Sequence, residues 1–305
     1  MKSAATHAIG IDVGGTKIAG GVVDLAAGTI LARRHRPTLP RRGGGAVLDD
    51  VLHQAGELAA EAKGLGLAIA GVGVGLPQLV TPDGRVRSDH LFDWRELPAA
   101  RLLGAIAPAR LESDVRAAAW AEARFGAGRG YDIFCYVTIG TGVSYCLVVN
   151  GRPFAGARGY AIHFGSAPQW TRCRACGAVH TATLEEGAAG PGIAAAYSTR
   201  CKRQVTGAED VFAAAAAGDQ DALSVLADAA AELGAVIGQM MNMLDPDALV
   251  IGGGLGLAGG IYGRRLIAEI RDHVFAPDAR DLPVLPAVLG LEAGIVGAAL
   301  AAAPS

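Results

Sequence analysis

The chain has 305 residues, enough for two domains of ordinary size. Apolar residues make up 51% and charged residues 18%, and 27 Lys and Arg against 29 Asp and Glu leave a net charge of −2. That balance excludes global disorder and gives no electrostatic basis for binding nucleic acid or an anionic membrane.

No apolar run approaches the roughly 18–20 residues of a bilayer span, and no long apolar segment precedes Asp12, so neither a membrane helix nor a secretory signal is expected. Five cysteines without a small-scaffold spacing suit a reducing, cytoplasmic compartment. Glycine is in excess, at 44 residues, about twice its usual share of roughly 7%. The glycines have no fixed period and cluster at segment ends, where loops bring backbone close to a ligand.

In chain order, Ala8–Val13 and Ile18–Asp24 are apolar runs split by Gly14-Gly15, which predicts a β-hairpin. Gly28-Thr29 leads into a third strand, Ile30–Arg36. The basic, glycine-rich loop Arg41–Gly45 precedes a predicted helix, Val47–Lys63, with Val47, Val51, Leu52 and Leu58 on one face. Leu67–Gly75 predicts a buried strand ending at Leu76-Pro77, Ala109–Glu112 a further strand, and Ala117–Phe125 a helix. The pattern then repeats loosely. Ile133–Ile139, the turn Gly140-Thr141-Gly142 and Val143–Val149 form a second hairpin, and Asn150-Gly151 signals another tight turn. Helices follow at Val211–Ala217 and Ala222–Met243, then a strand at Ala248–Ile251 that runs into Gly252-Gly253-Gly254, and a last helix at Ala293–Ala302. Two such halves predict two α/β domains with a cleft between them.

Three glycine-containing segments carry phosphate-binding chemistry. At the first hairpin tip, Gly14 and Gly15 let backbone N–H groups approach phosphate oxygens. Thr16 adds a hydroxyl and Lys17 follows it, and Asp12 can hold water on Mg²⁺. The spacing is not that of a Walker A loop, and no helix follows. Thr141 and Gly142 form a second turn of the same composition, and Gly252, Gly253, Gly254 and Leu255 form a third segment, after a strand and before a helix, where backbone can pack on a nucleotide. Each alone is weak; in this order they reinforce one another.

With these segments in place the chain resembles the ROK kinases (repressor, open reading frame, kinase), of the sugar kinase/actin-like ATPase, or ribonuclease H-like, fold. The resemblance runs nearly end to end. IGIDVGGTK resembles the family's first phosphate loop, VTIGTG its second, LDPDALVIGGGLGLAG its adenosine segment, and GARGYA the start of its sugar-binding stretch. It implies ATP-dependent phosphorylation of a primary hydroxyl on a hexose-like ring, with Mg-ATP and domain closure.

The family's Asn-Asp pair falls on Ser113-Asp114, which makes Asp114 the expected catalytic base and Ser113 a substrate-side residue. Gly75, at the end of its strand, is a further substrate-side candidate. A carboxylate of ordinary pKa, about 4, suffices, because in a loose phosphoryl-transfer transition state the hydroxyl proton becomes acidic late. The competing reading makes Asp114 the N-cap of the alanine-rich helix.

The sugar end departs from the family. Its Gly-Glu-x-Gly-His stretch reads Ile162-His163-Phe164-Gly165-Ser166 here, so His163 stands for the Glu and Ser166 for the His. Both family residues bind ring hydroxyls at carbons 1 and 2. A later family Glu is matched by Glu185. Sites built around a hydroxyl reject ligands lacking it by factors of roughly 10⁴–10⁵, so a changed substrate is expected. Val143-Ser144-Tyr145-Cys146 replaces a glycine-rich stretch and is expected to narrow the site while leaving Thr141 and Gly142 in place.

The family's zinc motif is altered to Cys173, Cys176 and His180. Cys-x₂-Cys followed by His suits a structural, tetrahedral zinc, with His163 as a candidate fourth ligand; the alternative is two free thiols and a surface histidine.

The substrate expected first is a C7-cyclitol of the 2-epi-5-epi-valiolone type, as in aminocyclitol antibiotic pathways, phosphorylated on its exocyclic CH₂OH. Kanosamine, glucose and N-acetylmannosamine follow. A sugar-sensing repressor is disfavoured, because only eight residues precede Ile9 and no basic recognition helix is visible. A non-catalytic sugar-binding regulator is disfavoured by the retained Asp12, Asp114 and nucleotide loops. The expected domains are residues 1–115 plus 292–305, the smaller, and 116–291, the larger. A homodimer is implied by the resemblance.

Overall fold

The computed structural model of the chain describes residues 5–172 and 179–303. It divides into two compact units, one of residues 1–132, 148–162 and 288–305, the other of residues 133–147 and 163–287.

The first unit opens with strands β1 (His7–Val13), β2 (Lys17–Asp24) and β3 (Ile30–Pro37), then helix α1 (Gly44–Gly64), β4 (Ile69–Leu76), the short α2 (Ala99–Leu103), β5 (Ala109–Ser113) and α3 (Asp114–Phe125). Its sheet has the order β3-β2-β1-β4-β5; β1, β2 and β3 pair antiparallel, and β1, β4 and β5 pair parallel. Side chains alternate across a strand, and here both faces are covered. Ile9, Ile11 and Val13 join Val47, Val51 and Leu58 of α1 in one core, while Ala8 and Val23 join a core with α3 and the C-terminal helix. This is why the strands read as nearly continuous apolar runs.

The second unit begins with β6 (Ile133–Ile139) and β7 (Val143–Val149). The last two residues of β7 lie in the first unit and pair antiparallel with β8 (Arg152–Pro153), through Asn150 and Gly151 in positive φ. The second unit resumes with β9 (Pro168–Arg172), β10 (Val179–Thr183), α4 (Leu184–Ala188), α5 (Gly190–Cys201), α6 (Ala208–Ala216), α7 (Gln220–Leu244), β11 (Ala248–Gly252), α8 (Gly260–His273) and β12 (Val284–Pro286). Here β12, β11, β6 and β7 are successive neighbours, with β12, β11 and β6 parallel. A hairpin followed by parallel strands thus recurs, as the repeated sequence pattern predicts.

The chain ends in α9 (Ala293–Ala302), back in the first unit. Ala293 to Ala301 are all buried, and glycines allow α9 to lie this deep. A Cβ at Gly10 of β1 would run into the Ile295 carbonyl, and one at Gly73 of β4 into that of Ala298.

Three expectations change. The first unit extends past residue 115, because α3 packs along α9 and β4. It also takes in residues 148–162 and is the larger of the two in residues, not the smaller. Finally, α7 is long and apolar enough by composition to cross a membrane, with half of its apolar window buried. Its buried face, from Ala222 through Leu233 to Met241, packs with α4, α5, α6 and α8 as the core helix of the second unit.

Candidate active site

In the first unit the sheet register assembles the acidic centre. Asp12 of β1 pairs with Gly75 of β4, and Gly75 with Glu112 of β5. The next residues on β5 and α3 are Ser113 and Asp114. A Cβ added to Gly75 would lie 3.6 Å from Asp12 Oδ1 and 3.7 Å from the Asp114 Cα, so Gly75 lies between these two residues in van der Waals reach of both. On the other side, a Cβ at Gly294 in the first turn of α9 would be 2.6 Å from the Asp12 carboxyl. The sequence reading did not single out Gly294. Nothing local marks it, since its partner is 282 positions away.

Burial dominates the titration of both acids. It pushes Asp12 up to about 7, with the negative charge of Asp114 adding to the rise and Lys17 opposing it. Asp114 is pushed up to about 6, again by burial, opposed by hydrogen bonds from Val115 and Ser113 and by the charge of Arg116. Asp114 Oδ1 accepts from the Val115 N–H at 2.7 Å. Asp114 is the first residue of α3; Ser113 holds the N-cap position without a side-chain cap bond. The N-cap position expected for Asp114 therefore falls one residue earlier, on Ser113.

The turn expected to be the first phosphate loop, Gly14 to Lys17, is exposed at its tip and closed by the Gly14 N–H donating to the Lys17 carbonyl at 2.9 Å. Thr38 clamps it from beneath. The Thr38 hydroxyl donates to the Gly14 carbonyl at 2.7 Å and its N–H to the Thr16 carbonyl at 3.1 Å. Thr38 is fully buried and was not among the expected residues.

The second unit builds its own loop cluster. Gly140, Thr141 and Gly142 turn between β6 and β7, with the Gly140 N–H donating to the Gly142 carbonyl. The Gly190 N–H at the start of α5 donates to the Gly140 carbonyl at 2.9 Å. The N–H of Leu255 donates to the Ile139 carbonyl at 3.0 Å, and Gly253, at φ 82°, packs where a Cβ would strike Ile139. The second and third glycine segments therefore meet at the end of β6. The start of α5, Gly190-Pro191-Gly192, is held beside the Gly140 turn by the Gly190 bond. It was legible as proline in a helix's first turn but was not read.

The residues expected at the ring end lie elsewhere in the same unit. His163 and Ser166 are exposed, and the His163 Nδ1 and Ser166 Oγ are hydrogen-bonded at 3.1 Å. Glu185 Oε1 accepts from the Val143 N–H at 2.8 Å, while the Glu185 N–H donates to the Gly165 carbonyl at 3.0 Å. Glu185 thus ties the second phosphate loop to the His163–Ser166 stretch. Of the stretch expected to narrow the site, Val143 and Cys146 are buried. Tyr145 meets Phe164 edge-on, with ring centroids 5.6 Å apart.

Cys173 and Cys176, expected at zinc, lie outside the described residues. Among the described residues no group of three or more His, Cys, Asp or Glu is placed to hold a metal. The free cysteines among them are Cys135, Cys146 and Cys201.

The class that fold and site define is met in comparison with known proteins. The ROK family model matches residues 8–304, and the chain belongs to the ROK family. A glucokinase of Streptomyces coelicolor is 31% identical over 317 residues, covering 95% of this chain and 96% of that protein. A bifunctional enzyme NanE/NanK of Brucella melitensis is 38% identical over 208 residues, covering 67% of this chain but only 37% of that longer protein. The crystal structure of a ROK family glucokinase from Streptomyces griseus, in complex with glucose and AMPPNP, superposes with a TM-score of 0.80 at 28% identity, covering 97% of this chain and 99% of that one. The α/β architecture with two mixed sheets is the actin-like ATPase fold of these kinases.

Proposed function

We propose that the chain is an ATP-dependent kinase that phosphorylates the primary hydroxyl of a sugar-like ring. The observation that carries this reading is the pairing of two half-buried carboxylates, Asp12 and Asp114, beside Gly75, one at the phosphate-loop end of β1 and the other opening α3. The kinases to which the chain is similar support it.

In this reading Asp114 accepts the proton of the attacking hydroxyl. Its pKa of about 6 leaves it largely ionised at neutral pH while raising its basicity, which favours proton transfer. The Val115 N–H at 2.7 Å holds one carboxyl oxygen and leaves the other for the substrate. Gly14 to Lys17 and Thr141-Gly142 offer backbone N–H groups, hydroxyls and the Lys17 ammonium to phosphate oxygens. Gly252, Gly253, Gly254 and Leu255 would carry the nucleoside.

Asp12 suits a hard cation. It is an oxygen donor, buried enough to be pushed to about 7 and set beside a second carboxylate, where positive charge is favoured. Magnesium held there would neutralise charge on the phosphates.

For the substrate, we propose first a C7-cyclitol carrying an exocyclic CH₂OH. His163 and Ser166, bonded to each other, present a different pattern to the ring end from the Glu and His of the resemblance. Glucose or an amino sugar such as kanosamine or N-acetylmannosamine is the second reading, favoured by the glucokinases among the relatives.

ADP release with Mg-ATP across glucose, N-acetylmannosamine, kanosamine, valienone and 2-epi-5-epi-valiolone separates the two. Turnover of a cyclitol with glucose nearly inert supports the first reading. Efficient glucose turnover replaces it with the second, and silence across the panel sinks the kinase reading. Homodimer assembly and a structural zinc at Cys173, Cys176 and His180 belong to the same proposal. Sedimentation should report a dimer and metal analysis about one zinc per chain; a monomer, or folded metal-free protein, removes the respective claim.

A further inference from the structure

Arg116 is an arginine in an unfavourable place. It is the third residue of α3, where the positive end of the helix dipole repels a cation, and its side chain is 1% exposed. All three guanidinium nitrogens are nonetheless engaged. Nε donates to Glu112 Oε1 at 2.6 Å, Nη1 to the Gly159 carbonyl at 2.7 Å, and Nη2 to the Val80 carbonyl at 2.6 Å. Nη2 also pairs with Glu112, whose Oε1 accepts in turn from the Ser113 N–H at 2.8 Å.

These partners come from three separate segments of the first unit. Glu112 is the penultimate residue of β5, immediately before Ser113-Asp114. Val80 follows β4, in the loop closed by the Val80–Val86 bridge, and β4 carries Gly75, which lies against Asp114. Gly159 follows β8. The two carbonyls come within reach of one guanidinium because Gly159, at φ 84°, has no Cβ; one would run into the Val80 carbonyl. A buried ion pair is weak evidence for stability, since desolvation offsets much of its attraction. What this fork does uniquely is lock the junction between β5 and α3 to the loop beyond β4, with Asp114 between its anchors.

We propose that Arg116, braced by Glu112, is a positioning residue for Asp114, fixing the first turn of α3 so that the carboxyl meets the acceptor hydroxyl. This rests on the reading of Asp114 as the base. Lysine keeps the charge of Arg116, but as a point charge it cannot reproduce the planar fork, and a misplacement of about 1 Å in a reacting group can cost about 100-fold.

The test is steady-state kinetics on the substrate that the panel identifies, with nucleotide affinity and melting temperature measured in parallel. Arg116→Lys should lower kcat by about 10- to 100-fold. Its KM for ATP and nucleotide Kd should stay within about twofold of wild type and its melt within a few degrees. A folded Arg116→Lys with wild-type kcat overturns the proposal. Should that variant fail to fold, the neutral pair Glu112→Gln with Arg116→Gln removes both charges together, and wild-type kcat there overturns it equally.

A double-mutant cycle separates this claim from the one beneath it. If Arg116 acts through Asp114, adding Arg116→Lys to Asp114→Asn costs nothing more, whereas a fully additive loss shows that Arg116 acts elsewhere and sinks the positioning role alone. Asp114→Asn with wild-type turnover sinks the base reading, and this proposal with it.

Discussion

The acidic centre of the first unit and the ring-end stretch of the second are built in opposite ways. Asp12, Gly75 and Asp114 sit at the ends of paired strands and a helix start, pressed against α9, where burial shifts both carboxyls. His163 and Ser166 sit on an exposed stretch and bond to each other, and Glu185 spends one oxygen on the Val143 N–H. The contrast teaches where each kind of change is tolerated. Groups that move protons and hold charge need a packed scaffold that keeps them in place, whereas residues that choose a substrate can be exchanged on a loop without disturbing a core.

The largest expected effect breaks the first region. Asp114→Asn should lower kcat by about 10³-fold, within the range of 10²–10⁴ for a general base, with nucleotide affinity unchanged by calorimetry. In the wild type, kcat should fall as pH drops below about 6, because Asp114 must be ionised to accept a proton and its folded pKa is about 6. A profile flat to pH 5 would remove Asp114 from that step.

An intermediate effect tests the second region. Glu185→Ala should weaken nucleotide binding by several-fold even with no sugar present, because it releases the Val143 N–H beside Thr141-Gly142. A role confined to the sugar would leave that Kd unmoved. Glu185→Gln, which keeps an acceptor oxygen, should restore most of the affinity.

The smallest effect concerns stability. Burial raises Asp12 from 3.8 to about 7 in the folded protein, so the fold favours its protonated form. That contribution is fully present below pH of about 4 and is lost as pH rises through about 7. Asp12→Asn mimics the protonated acid. Without divalent cation it should melt a few degrees above wild type at pH 8 and level with it at pH 4. A lower melt at pH 8 would mean that the carboxylate is stabilised rather than strained.

Much of the fold was legible, for local reasons. The runs Ala8–Val13, Ile18–Asp24 and Ile133–Ile139 are apolar because both faces of their sheets are covered, and the glycine pairs between strands mark their turns. Asp12, Asp114 and the three glycine segments stood out because phosphate chemistry demands those residue types beside strand ends. Helices α4 and α5 were missed although their starts carry signals: a Thr183–Glu186 capping box and a first-turn proline.

Sequence by itself therefore determined the main strands and the long helices, which loops can cradle phosphate and which acids are candidates, since each follows from periodicity or from one short motif. Only the tertiary structure decided that Asp114 opens α3 rather than capping it. It likewise decided that Glu185 bonds Val143, that Gly294 makes room for Asp12, and that one buried arginine joins Glu112, Val80 and Gly159. The physical reason is common to all four: burial and hydrogen-bond partners are set by residues far away along the chain, and no local pattern encodes a neighbour that arrives only when the chain closes on itself.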